Sequence, residues 1–255
     1  MPKPTKSATV GRFTKAAQPV RHRLIGSSYG ADGTGKTFLW LSAPGPIFIQ
    51  SFDFGLEGVV EQFQGRKDVY VREYDWTPGK TGLTQADAVA LRDQFIQDYE
   101  LALNEARTLI WDKETEVWEL FRYAEFGGPN EAPRNYPELN QRYRYYIRRP
   151  YERGLNFGLI QGVKEKWISE RDPGSGKLKP HNTGELVRTG FGELQNLMQI
   201  NLAHTREGGA FAYRVGKCRQ NSALQDETFT FEAGDNPFVG LAMMVFPDTT
   251  EVDWQ

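Results

Sequence analysis

Apolar residues along this chain recur with two periods, and the switch between them marks out the elements. Residues 23–29 read as a short strand, and 37–43 read as a helix that Pro44-Gly45 ends. The run at 46–50 is of the kind that fills a parallel sheet, and a helix is expected through Val59-Val60-Glu61-Gln62-Phe63. Residues 69–74 alternate like a strand, 77–82 form a loop punctuated by Pro and Gly, and 84–107 read as a helix. In that helix Ala88, Leu91, Phe95, Tyr99 and Leu103 fall three to four apart, a core-facing stripe. An apolar strand at 108–112 follows, then a helical aromatic stretch at 116–155 and a further buried strand at 156–164. Residues 169–192 are polar, rich in Gly, Pro and Lys, and aperiodic, and read as a long loop of the functional or disordered kind. A helix or strand at 194–202 precedes a hairpin-like pair, 210–215 and 228–231, with the basic segment 216–219 between. The whole predicts an α/β fold: a mainly parallel central sheet flanked by helices, with a late antiparallel hairpin.

Chemistry enters at the junction of the first strand and helix. Gly30-Ala31-Asp32-Gly33-Thr34-Gly35-Lys36-Thr37 fits G-x-x-x-x-G-K-[ST], a loop whose backbone N–H groups close around phosphate oxygens. Lys36 is placed for the outer phosphates and the Thr37 hydroxyl for Mg²⁺, so residues 30–38, through Phe38, are the candidate site for a nucleoside triphosphate. The strand ending in Asp112 reads as a Walker B element that helps hold the metal. Asp53 and Glu57 follow the second strand, and Glu114 follows Asp112; each is a candidate to polarise the attacking water. For Asp53 an equal reading is a cap on the helix that follows. Between 134 and 153, Arg and Tyr interleave, which suits either an amphipathic helix with solvated arginines or a surface that stacks on bases.

Composition narrows the class without naming it. The 255 residues are 39% hydrophobic and 25% charged, ordinary for a globular chain. One cysteine, Cys218, excludes an internal disulfide. There is no run of about 18 apolar residues and the N-terminal stretch is polar, so the expectation is a cytoplasmic protein without membrane contact. Charge is uneven within a net of −2. Residues 1–22 read as a basic flexible arm, 23–246 as the folded domain, and 247–255 as an acidic tail that could meet a protein partner. Lys177, Lys179 and Arg188, with His181, make the long loop a candidate contact for a phosphate backbone.

On GADGTGKT, and less strongly on residues 48–53 and 109–112, the chain resembles RecA-like P-loop ATPases. Within them it is most like small phage ATPases related to recombinases and single-strand-annealing proteins. Weaker likeness lies at 134–140, 159–164 and 214–219, and the whole runs from Arg23 to Phe231. The resemblance implies ATP and Mg²⁺ as cofactors, single-stranded DNA as partner, a homo-oligomeric ring or filament, and DNA-stimulated hydrolysis in recombination, annealing or replication. It implies that Gln161 is a polar sensor of the γ-phosphate, that the loop at 169–190 contacts DNA, and that Lys217 and Arg219 reach a neighbouring subunit's nucleotide. Two departures stand out. The family's usual catalytic Glu falls where this chain has Ser51 or Phe52, and the small residue after the Walker B Asp is Lys113. Other classes consistent with the loop are a P-loop kinase of a small molecule and an assembly protein with a structural nucleotide.

Overall fold

In the computed structural model the described residues are 9–10, 13–14, 22–63, 65, 68–77, 83–128, 135–171, 177–232 and 234–254. Most of the basic arm, including Lys3, Lys6, Lys15 and Arg21, lies outside them, apart from the short strands β1 (Thr9–Val10) and β2 (Phe13–Thr14).

Six parallel strands make the centre. β3 (Ile25–Tyr29), β4 (Ile47–Ser51), β5 (Val69–Glu73), β6 (Thr108–Asp112), β7 (Asn156–Gln161) and β10 (Ile200–Glu207) stand in the order β10-β3-β7-β6-β4-β5. β11 (Ala210–Cys218) and β12 (Thr228–Phe231) continue the sheet beyond β10, each antiparallel to its neighbour. The expected mainly parallel sheet with a late antiparallel hairpin is what forms. The basic segment 216–218 is drawn into β11 rather than left as a turn.

The inner strands are largely apolar on both faces because both faces are covered, whereas the edge strand β5 is mostly exposed. Ile110, Ile160, Ile200 and Leu202 point to the side packed by α1 (Lys36–Leu41) and α6 (Pro237–Val245). Leu109, Trp111, Phe157 and Leu159 point to the side packed by α2 (Gln85–Glu105), α3 (Glu114–Phe126) and α4 (Pro137–Arg153). α1 sits close to the sheet because two strands carry glycine beneath it. A Cβ on Gly158 would lie 2.3 Å from Trp40 Cδ2, and one on Gly26 2.7 Å from Ile200. Trp40 is fully buried there, and its indole N–H donates to Ser28 Oγ at 3.0 Å. α2 begins where the pattern places it, with Thr84 and Asp87 closing a reciprocal capping box.

Several expectations are corrected. Much of the described part of the loop expected at 169–192 is strand instead: β8 (Val163–Arg171) and β9 (Leu178–Arg188) pair antiparallel as a separate two-stranded hairpin. Most of its side chains are exposed, so no buried face imposes the alternation by which a strand is recognised. Cross-strand polar pairs help hold it, Lys166 with Glu185 and Asn182 with Glu165, both at 2.7 Å. The stretch 116–155 is two helices, α3 and α4, separated by a segment outside the described residues. The helix expected at 59–63 is a single 3-10 turn, Val60–Phe63, following another at Phe54–Leu56. At the acidic end an aromatic side chain is buried. Trp254 is 1% exposed and packs on Phe246 and Phe238, ring centres 5.6 and 6.1 Å away.

Candidate functional site

The Gly-rich loop joins β3 to α1 at the carboxyl edge of the parallel sheet. Gly33 and Gly35 take φ of 72° and 83°, which a residue with a Cβ adopts only under strain. A Cβ on Gly30 would meet His204 O at 2.4 Å, so the loop lies directly on β10. Beneath it His204 is buried, its Nε2 3.0 Å from Ser28 Oγ, and burial pushes its pKa down to about 3, keeping the imidazole neutral. Lys36 is 8% exposed. Its ammonium donates to Gly30 O at 2.9 Å and Ala31 O at 2.6 Å, so the loop curls around its own cation. Burial lowers the Lys36 pKa, and Asp32, Asp112 and Asp53 oppose that shift.

The second landmark meets the first. Thr37 Oγ1 donates to Asp112 Oδ2 at 3.1 Å, across 75 residues of sequence. Burial pushes the Asp112 carboxyl up to about 6, against the Thr37 hydrogen bond that stabilises its anion. A hydroxyl and a carboxylate so placed are hard oxygen donors, and Mg²⁺ typically takes one or two carboxylates with the rest of its shell from phosphates and water. No cluster of three or more His, Cys, Asp or Glu suited to a metal occurs among the described residues. The donor set therefore fits a metal carried in with a phosphate rather than one caged by protein.

Around the loop a cavity of 410 Å³ is lined by the loop residues, Asp53, Asp112, Lys113, Gln161 and Gly162, and on another wall by Phe38, Val59, Gln62 and Phe211. Asp53 belongs to this lining and also caps a turn. Its Oδ1 accepts from Gly55 N at 3.2 Å, capping the Phe54–Leu56 turn rather than a longer helix. It also pairs with Lys113 at 3.3 Å. Glu57 is exposed and is not among the lining residues.

Glu114 stands out in the other direction. It is fully buried and accepts from Tyr143 Oη and Gln161 Nε2, both at 2.8 Å, and from Phe191 N at 3.3 Å. Burial pushes its carboxyl up to about 7, against those donors. Gln161 is buried at the end of β7, between the strands that carry the loop and Asp112, and its Nε2 also donates to Thr189 O at 2.6 Å.

Other sequence candidates are dispersed. Lys217 and Arg219 sit where β11 ends, across β10 from the start of β3 and so at the opposite edge of the sheet from the loop. They donate to Gln195 O and Asn196 O of α5 (Leu194–Leu197). Lys177 and Lys179 are exposed at one end of the β8–β9 hairpin, and Arg188 is at the other, its guanidinium 4.4 Å from the Tyr29 ring. The α4 arginines divide: Arg142 pairs with Glu125 at 2.6 Å, Arg144 with Glu193 at 2.5 Å, and Arg149 with Glu100. With Leu139, Tyr143 and Ile147 buried the segment is an amphipathic helix, but these three arginines are ion-paired where solvated ones were expected. Lys113, singled out in the sequence only as a departure from the family pattern, is in left-handed backbone at φ 64° beside Asp53. Residues the sequence did not single out include His204, Gln62 and Phe211. Periodicity carries no sign of them, because they reach the loop only through the sheet's order.

A parallel sheet with a phosphate-type loop at its carboxyl edge, and an acid from a non-adjacent strand against the loop threonine, defines a P-loop α/β fold. No protein-family model matches the chain, and no curated protein matches it. Among solved structures it is similar to one titled "Crystal structure of the RadB recombinase". The TM-score is 0.47 at 13% identity, covering 82% of this chain and 86% of that one.

Proposed function

We propose that the chain is a Mg²⁺-dependent RecA-like ATPase that acts on single-stranded DNA in phage-type recombination, annealing or replication. The observation that carries the nucleotide part is the Thr37–Asp112 hydrogen bond beside a buried Lys36. In this reading Lys36 exchanges its two loop carbonyls for phosphate oxygens, and Thr37 and Asp112 hold the Mg²⁺. The bound metal supplies charge neutralisation between the phosphates. Asp53 and Gln161 line the same cavity and are the candidates to act on a water at the outer phosphate.

The DNA part is supported by the β8–β9 hairpin. It presents exposed Lys177 and Lys179 at one end and, on the other face of the ribbon, Trp167, which is 59% exposed; cations and an exposed indole suit phosphate contacts and base stacking. Lys217 and Arg219 face away from their own loop, which suits action on a neighbour's nucleotide in a homo-oligomer. The test is ATP hydrolysis with and without single-stranded DNA, together with mixing of Lys36→Ala and Lys217→Ala/Arg219→Ala chains. Stimulation by DNA and partial rescue on mixing are expected. Hydrolysis that needs a small phosphoryl acceptor instead would make the protein a kinase.

A further inference from the structure

Gln161 reaches the cavity with its amide already oriented. Its Nε2 has two neighbours, the Glu114 carboxyl oxygen at 2.8 Å and Thr189 O at 2.6 Å, and both are acceptors. Reversing the amide would set its oxygen against both, so the network fixes which end is nitrogen. The carbonyl Oε1 is buried and finds no hydrogen-bond partner among the described residues, while the residue itself lines the cavity. Glu114 is held in turn by Tyr143 and by the backbone of Phe191, three residues past the end of β9. The fit is tight: a Cβ on Gly190 would lie 2.2 Å from Glu114 Oε2 and 2.9 Å from Gln161 Nε2. Alongside, Thr115 Oγ1 lies 2.8 Å from Thr189 Oγ1, and Thr189 N donates to Gly162 O at 3.0 Å. The start of α3, the end of β7 and the exit of the hairpin are thus one hydrogen-bonded knot behind the cavity.

We propose that Glu114 is a positioning residue: it locks the Gln161 amide with its nitrogen turned back into the knot, so that Gln161 offers the cavity an acceptor oxygen. An acceptor there orients the O–H of a bound water and repels a phosphate oxygen, so Gln161 acts on the water and not as a donor to the phosphate. Glu114 itself stays behind the site as an anchor, although it follows Asp112 so closely. The kinetic consequence rests on the ATPase reading, whereas the amide geometry does not.

The test uses the full chain labelled with ¹⁵N-glutamine, with the Gln161 side-chain signal assigned by its loss in Gln161→Leu. In nucleotide-free wild type the Gln161 amide protons should exchange slowly with solvent. Glu114→Met, which keeps length and removes the acceptor, should release them. The same variant should lower kcat for ATP by about 10²-fold, the scale of a misplaced reacting group, with KM within a few-fold of wild type. Glu114→Gln, which keeps one acceptor oxygen and folds most readily, should fall between. Tyr143→Phe, which loosens Glu114 from its far side, should cost melting temperature yet keep both the protected amide and kcat near wild type. Persistent Gln161 protection in Glu114→Met would overturn the proposal, as would kcat losses that track melting temperature across all three variants. If the wild type hydrolyses no ATP while Glu114→Met still releases the amide, the ATPase reading falls and the positioning role stands.

Discussion

The loop side of this molecule and the β8–β9 hairpin are built on opposite principles. At the loop the polar groups nearest the phosphate position are largely buried and answered: Lys36 by Gly30 and Ala31, Asp112 by Thr37, Ser28 by Trp40 and His204. On the hairpin Trp167, Leu178 and Leu186 are 59%, 68% and 58% exposed, and the two strands pair with each other and with no strand of the central sheet. Burial with satisfied polar groups gives a single geometry, which phosphate chemistry needs. An exposed ribbon has little to fix it, and surface of that kind gains its order from what it binds. The difference predicts that substitutions at the loop act on catalysis and stability, and those on the hairpin on binding alone.

The largest effect is expected at Lys36. Lys36→Ala should bring ATP hydrolysis to background, while its far-UV circular dichroism stays that of wild type. Asp112→Asn should lower turnover on the order of 10²-fold, as losing one electrostatic stabiliser does, with less effect on nucleotide affinity measured by titration calorimetry. Both variants at wild-type turnover would place the site elsewhere.

Next in size is the support under the loop. Trp40→Ala should destabilise by about 3–5 kcal/mol, and Gly158→Ala by about 1–3 kcal/mol through overpacking against the indole. Denaturant unfolding reads both. A Gly158→Ala chain as stable as wild type would mean that α1 does not sit on the sheet as closely as described.

The smallest effect on the fold, and the sharpest contrast, is on the hairpin. Trp167→Ala should leave stability within about 0.5 kcal/mol, as for exposed positions generally. It should weaken single-stranded DNA binding by about 1–3 kcal/mol if a base stacks there. Lys177→Ala/Lys179→Ala should make binding less sensitive to salt, the slope falling by about 0.7 for each phosphate that is no longer neutralised. Unchanged affinity and slope in both variants would move the DNA path off the hairpin.

The same contrast explains what could be read from the chain. The loop, Asp112 and the strands around them were legible because short apolar runs and a spaced Gly-Lys-Thr signature need no tertiary knowledge. Ala88, Phe95, Tyr99 and Leu103 fell inside, as their spacing required. The hairpin was hidden because strands with both faces in solvent have no period to show. Glu114 was visible as an acid after Asp112 and was read as a candidate base. Its burial behind Gln161 depends on Tyr143 and Phe191, which arrive from α4 and the exit of β9. Trp254 was lost in an acidic tail, since a lone aromatic does not announce the Phe238 and Phe246 rings that receive it.

The central claim is that the loop hydrolyses ATP and the hairpin senses DNA. Steady-state ATP hydrolysis by the wild type, by Trp167→Ala/Lys177→Ala/Lys179→Ala and by Lys36→Ala, with and without single-stranded DNA, tests it directly. The account predicts DNA-stimulated turnover in the wild type, unstimulated basal turnover in the hairpin variant, and none in Lys36→Ala. Equal stimulation of the wild type and the hairpin variant, or turnover by Lys36→Ala, would contradict it.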